Sequence, residues 1–418
     1  MKNYSPLFNS IVLLFITVIL HSCVKDTCKE THTYSYFEPV YKTRAEVRAN
    51  IKSNPPQEIK TPGKIVLLGN YIFLNEINRG IHVIDNSNPS SPQNISFISL
   101  PGNVDLAIKG NILYADLYTD LVTLNISNPL HVVITKIVDG VFPDRNYGAG
   151  FSADTDKVII EWKRHDTTYT ELCTEWRRNR DSLYLMSVAS MGSANNATPV
   201  GITGSMARFA ITGDYLYTVG DAKLNVFNIA SPANPYFLNN SNVDWHIETI
   251  YPFKDKLFIG SNNGTFIYDI AGSPSHPARV GQFTHARSCD PVIADDFYAY
   301  ITLHSGSTCL GYNNQLDIVQ LNNLSNAQLV KTYSLTNPQG LSKDGNLLFI
   351  CDGTAGLKVY DASDVQNLHL LKQVAGLVTY DVIAHNNIAL VVAKDGLYQY
   401  TYASISNIQL LSKLNISN

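Results

Sequence analysis

The stretch GIHVIDNSNPSSP (80–92) is a short apolar alternation that runs into a turn rich in Asn, Ser and Pro. Alternation with a period of two marks a half-buried strand, and the turn residues mark its end. The pattern returns as DLVTLNISNP (120–129), KLNVFNIASPANP (223–235), GTFIYDIAGSPSHP (264–277) and GLKVYDASD (356–364). Written as apolar, any, apolar, any, small polar, it starts at Ile81, Leu121, Leu183, Leu224, Thr265, Leu316, Leu357 and Leu397. The successive spacings are 40, 62, 41, 41, 51, 41 and 40 residues. Five of the seven share one period, and the other two are that period plus an insertion. A fixed period of this size signals a repeat architecture.

Each unit has the same interior. A run such as NILYAD (111–116), DYLYTV (214–219), DKLFIG (255–260) or NLLFIC (346–351) precedes the motif, and an earlier apolar segment such as DLAIKG (105–110) or RFAITG (208–213) precedes that run. Gly-Asn and Gly-Asp steps join the two, which is hairpin chemistry. A last segment, for example QNISFISL (93–100), follows the Pro-rich turn. Four short antiparallel strands per unit predict an all-β fold, a β-propeller of four-stranded blades. One such sheet cannot cover both faces, so copies arranged radially supply its neighbours. Eight units predict eight blades. The third unit, about 149–205, is degenerate and inserted, so seven blades plus an excursion is the alternative.

The strands IHVID, LVTLN, LNVFN and LKVYD, with their SNP or SPANP turns, resemble the LVIVD-repeat family of bacterial exported proteins over roughly residues 60–400. The resemblance implies a β-propeller on an exported or lipid-anchored protein, and it supplies no catalytic motif to carry over. Units three, six and eight depart from it with LYLMS, LDIVQ and LYQYT.

The amino terminus specifies export. Lys2 precedes an apolar stretch, Leu7–Leu20, that is short for a membrane span. It ends in LHSC (20–23), similar to the lipobox at which bacterial lipoproteins are cut, which makes Cys23 the lipidated first mature residue. Residues 1–22 are thus read as a signal peptide, 23–60 as a lipid-anchored tether and lead-in, and 61–418 as the propeller. The expected location is the cell envelope, at the outer membrane. Of the remaining cysteines (Cys28, Cys173, Cys289, Cys309 and Cys351), none forms a CxxC pair, and an oxidising compartment favours disulfides, with Cys289–Cys309 the expected pair. Charged residues make up 16% of the 418-residue chain and the formal net charge is −4, so nothing points to nucleic acid. No phosphate loop, GxGxxG, HExxH or GxSxG occurs, and no cofactor is expected.

Strand order predicts where chemistry gathers. Asp105, Arg208, Asp290 and Asp381 open inner strands, while Glu76, Asp116, Glu161 and Asp352 end second strands, with His304 near that register. All are expected on one face, around the mouth of the central channel. Residues 163–182 and 304–314 are insertions expected on the same face, and NVDWHIE (242–248) presents Trp245 and His246 there. Long loops on a rigid scaffold are where binding resides. Two readings follow. In the first, the protein is an envelope binding module, anchored to the membrane by its lipid and engaging a protein or glycan on this face. In the second, rim carboxylates act in pairs as a hydrolase directed at glycans. The same acids also suit a third, structural role, accepting hydrogen bonds from turn amides.

Overall fold

The computed structural model describes residues 29–148, 151–152, 154–172, 202–220, 222–284, 291–305 and 313–417. The chain divides into two compact units, one comprising 1–40 with 161–187 and the other 41–160 with 188–418.

The larger unit is a seven-bladed β-propeller. Its seven sheets follow the chain in order, and in each the strands run inner to outer as the sequence runs. Blade 1 spans Pro62–Ser99, blade 2 Leu106–Val138, blade 3 Phe209–Asn242, blade 4 Ile247–Thr284, blade 5 Val292–Ser334, blade 6 Leu341–Val374 and blade 7 Thr379–Asn415. The quoted stretch is the third strand of blade 1, Gly80–Asp85, and the turn to its outer strand, Gln93–Ser99.

The third sequence unit builds no blade among the described residues, so the ring has seven rather than eight. Tyr147–Gly148 pairs with Phe151–Ser152, and the strand Lys157–Leu172 pairs with Lys29–Thr43. The LYLMS motif at 183–187 lies outside the described residues. Within the smaller unit the ribbon carries Thr31–Thr170 and Ser35–Asp166 side-chain bonds and a Tyr36–His165 stack. The segment read as a tether is therefore a strand from Lys29 onward. It continues into a helix, Arg44–Arg48, and an edge strand, Lys52–Asn54, that extends blade 1 past its outer strand. Two arginines of that lead-in, Arg44 and Arg48, hold the buried carboxylate of Asp120 in blade 2.

Seven apolar clusters fill the seven junctions between neighbouring blades. At the junction of blades 3 and 4, for instance, Val226, Leu224 and Tyr217 pack on Leu257, Ile259 and Phe266. Each fully buried aliphatic side chain contributes roughly 1.5–3 kcal/mol, so the ring is held by its junctions as much as by its sheets.

The repeated turn has its own work. Asp85, Asn125, Asn228 and Asp361 each accept the amide two residues on through a side-chain oxygen, at 2.9, 2.9, 2.9 and 2.8 Å. That local bond ends the third strand and explains the Asp or Asn closing the motif. A carbonyl later in the turn then accepts from the preceding blade. Tyr114 Oη donates to the Pro232 carbonyl at 2.8 Å, Tyr217 Oη to Pro274 at 2.8 Å, and Ser412 Oγ to Pro89 at 2.6 Å. In every blade the outer strand also carries one extra residue opposite the third strand: Ile95, Thr135, Leu238, Val280, Val330, Leu371 or Leu411. Such bulges increase twist, which a blade needs as it fans outward.

Among the described residues no strand is exchanged where the ring closes. Blade 1 and blade 7 each draw all four strands from consecutive sequence, and their seam is held by one apolar cluster, the Asn86–Gln399 amide pair and the Ser417 amide on the Ile59 carbonyl at 2.8 Å.

Candidate functional site

The inner strands share one register. One residue before their first matching core position, blades 1 to 7 carry Lys64, Asp105, Arg208, Thr249, Pro291, Gly340 and Asp381. The structure thus brings together Asp105, Arg208 and Asp381, as expected, and adds Lys64. Pro291 takes the position expected for Asp290, which lies outside the described residues.

Across these inner strands runs residue segment 202–208. Ile202 and Thr203 pair with Leu67 and Val66 of blade 1. Ser205 Oγ accepts the Leu341 amide of blade 6 at 2.8 Å, and its own amide donates to Asp381 of blade 7. The Arg208 amide donates to Asp105 Oδ2 of blade 2 at 2.7 Å. Gly204 and Gly340 leave room for the Asp381 carboxylate, since a Cβ on either would overlap it. The chain therefore laces four blades together at their inner edges.

Charge gathers under this strap. Lys64 is 7% and Asp381 2% exposed. Burial drives the Lys64 ammonium below its usual value, against the pull of Asp381 and Asp105. Burial likewise pushes Asp105 up, against Lys64, the Leu106 amide and Arg208. It raises Asp381 to about 7, against Lys64 and the Val382 and Ser205 amides. Asp381 Oδ2 has no hydrogen-bond partner among the described residues. Arg145 pairs with Asp116 close by.

The acids that end second strands face the same side but serve their own blades. Glu76 is fully buried and accepts the Lys60 and Thr61 amides at 3.0 and 2.9 Å, His82 Nε2 at 3.0 Å and Arg79 at 3.1 Å. Burial alone would raise its pKa. The bonds from His82 and the two amides outweigh it and hold Glu76 at about 2. Asp116 accepts the Val104 and Asp105 amides at 3.1 and 2.8 Å, and Asp352 accepts those of Thr336 and Asn337 at 2.9 and 2.8 Å with Lys358 at 2.6 Å. Each acid closes the loop entering its own blade's inner strand. Asp116 sits one residue earlier in register than Glu76 and Asp352, because its strand turns through a shorter connection. Glu161 ends no second strand; it lies exposed in the Lys157–Leu172 strand. His304 follows the second strand of blade 5, where burial lowers its pKa against a bond to the Ser305 carbonyl.

Trp245 is 67% exposed on the connection from blade 3 to blade 4. The loop is fixed on both sides. The Val243 amide donates to the Ala222 carbonyl at 2.9 Å before Trp245, the Asn262 amide donates to the His246 carbonyl at 3.2 Å after it, and His246 takes a left-handed φ of 53°. Cys23, Cys28, Cys173, Cys289 and Cys309 lie outside the described residues, while Cys351 is a buried free thiol. Among the described residues no group of three or more His, Cys, Asp or Glu is placed to hold a metal.

The LVIVD repeat model matches residues 62–97, 102–140 and 203–243, the first three blades. The chain carries LVIVD repeats. The third match begins at residue 203, past the third sequence unit, in agreement with a ring of seven. No curated protein matches the sequence. Among solved structures, a protein from Lactobacillus plantarum is 12% identical, with 85% of this chain and 97% of that chain covered and a TM-score of 0.55. The periplasmic gluconolactonase of Pseudomonas aeruginosa is 11% identical, with 85% and 96% covered and a TM-score of 0.53. At such identities these LVIVD repeats share a fold with both.

Proposed function

We propose that this LVIVD-repeat propeller is a lipid-anchored binding module of the bacterial cell envelope, held through Cys23, that engages a protein partner on the face bearing Trp245. The leader and the LHSC sequence support the anchor and the location. The observation that carries the binding role is the contrast between the channel and its surrounding loops. Inner edges of four blades are occupied by the chain's own strap and by charges that compensate one another. Trp245, on a loop fixed at both ends, presents its indole to solvent. Tryptophan is the residue type most enriched at interface hot spots. Hydrolysis by a rim carboxylate pair has less support. Glu76, Asp116 and Asp352 are each committed to backbone amides of the loop entering their blade and to a cation, Arg79, Arg145 and Lys358 in turn.

The test is cross-linking on intact cells followed by capture and mass spectrometry, comparing the natural protein with Trp245→Ala and Cys23→Ser. A partner enriched with the natural protein and lost with Trp245→Ala is expected, and Cys23→Ser should leave the membrane fraction. A partner recovered equally with Trp245→Ala would remove this face from the interaction. Membrane retention of Cys23→Ser would refute the anchor.

A further inference from the structure

A different feature lies on the opposite, hairpin face, between blades 5 and 6. Tyr114, Tyr217 and Tyr300 occupy the same position of their second strands, opposite Ala107, Ala210 and Ile293. The first two reach across to a turn carbonyl of the next blade and close the junction. Tyr300 does not. Its hydroxyl turns back to Asp295 Oδ2 of its own blade at 2.9 Å, and the Val365 carbonyl of blade 6 is reached from the outer strand by Tyr333 Oη at 2.9 Å. Between them a cavity of about 520 Å³ opens, lined by residues 295–298, Tyr300, Lys343, Asn346 and 362–366. That volume falls within the roughly 300–1,000 Å³ of pockets that hold small ligands.

We propose that this cavity binds an uncharged sugar residue. Its floor is electrically balanced, because Asp295 is met by Lys343 at 3.0 Å, by the Tyr300 hydroxyl and by two backbone amides at 2.9 Å. Ala362 and Val365 are buried beneath it, and Phe297 stands at the edge 70% exposed, a flat apolar platform for the C–H face of a pyranose. Asn346 and Gln366 line the cavity, are exposed, and have no side-chain hydrogen bond within the described residues. A primary amide presents donors and an acceptor side by side, which suits neighbouring hydroxyls. At the rim Asp296 is paired with Lys254, while the exposed carboxylate of Asp364 disfavours phosphorylated ligands. The combination of apolar platform, free amides and neutral floor selects a sugar over an anion.

The test uses the mature protein, Phe297→Ala and the double variant Asn346→Ala/Gln366→Ala, with Trp245→Ala as a variant of the other face. A glycan array identifies binders, and saturation-transfer NMR with the hit's terminal monosaccharide, its 6-phosphate and adenosine measures selectivity. Binding of a neutral glycan is expected, weakened about tenfold by Phe297→Ala, lost in the double variant, unchanged in Trp245→Ala, and absent for the 6-phosphate. Both altered sites are solvent-exposed, so unfolding midpoints should match the natural protein. An array with no binder, binding that survives both variants, or preference for adenosine or the phosphate overturns the proposal. None of these outcomes bears on the Trp245 interface.

Discussion

Glu76→Gln tests whether the buried acids of this ring act through their charge. The carboxylate is fully enclosed and takes bonds from two amides, His82 and Arg79. Its pKa falls from 4.5 to about 2 on folding. The sign follows from linkage: a depressed acid stabilises the fold fully above its unfolded value and loses that contribution as pH falls through its folded one. That lowering corresponds to about 3 kcal/mol at pH 7 and, by the same relation, about 1 kcal/mol at pH 3. Glutamine keeps the shape and one acceptor oxygen but removes the charge. Urea unfolding of the natural protein and of the Glu76→Gln variant at several pH values gives the difference directly. It should approach about 3 kcal/mol at neutral pH and fall by more than half at pH 3. A difference that does not change with pH would show that packing, not ionisation, is what the carboxylate provides.

Three further outcomes follow from the channel. Gly204→Ala places a methyl on the Asp381 carboxylate and should cost about 1–3 kcal/mol in thermal unfolding, whereas Gly272→Ala, with no neighbour within 4 Å, should be near neutral. Asp381→Asn should match the natural protein near pH 4 and be more stable at pH 8, by roughly 1–3 kcal/mol, because an acid raised from 3.8 to about 7 destabilises the fold as pH climbs between those values. An advantage that is already present at pH 4 would contradict that account. Cys351, buried and with its thiol pushed well above the usual range, should resist alkylation until urea unfolds the blade, as read by peptide mass spectrometry. Rapid labelling of the native protein would refute the assigned packing.

The fold was legible because its period is written in residues with local consequences. Asp85, Asn125 and Asp361 end their strands by bonding two residues ahead, and that chemistry needs no tertiary context. The blade number was harder. LYLMS at 183 satisfies the strand pattern, yet the upstream strand Lys157–Leu172 pairs with Lys29–Thr43, more than a hundred residues away, and no short-range pattern records such a partner. The outer-strand bulges were invisible for the same reason, since they exist only in the pairing. At the channel, Asp105 and Asp381 were found by register. Lys64 was missed although PGKIV (62–66) aligns with NVDLA (103–107), because blade 1 was read from its third strand rather than its first. The strap was beyond reach, because its contacts join blades 1, 2, 6 and 7 to one short segment.

The seam between blades 7 and 1 has a consequence for how such a protein can change. Many ring closures would divide one sheet between the two ends of the chain, and any alteration in unit number would then have to preserve that shared sheet. Here the four blade strands of each sheet are encoded as one uninterrupted run, with Lys52–Asn54 and Ile202–Thr203 added only to blade 1, and among the described residues the ends meet through side chains and the Ser417–Ile59 backbone bond. A cassette from blades 3 to 7 can be duplicated or deleted in the gene without severing a sheet, whereas blade 1 also pairs with Ile202–Thr203 from beyond blade 2. The repeat-length stretch that contributes a strap and, among the described residues, no blade shows the same latitude within a single chain.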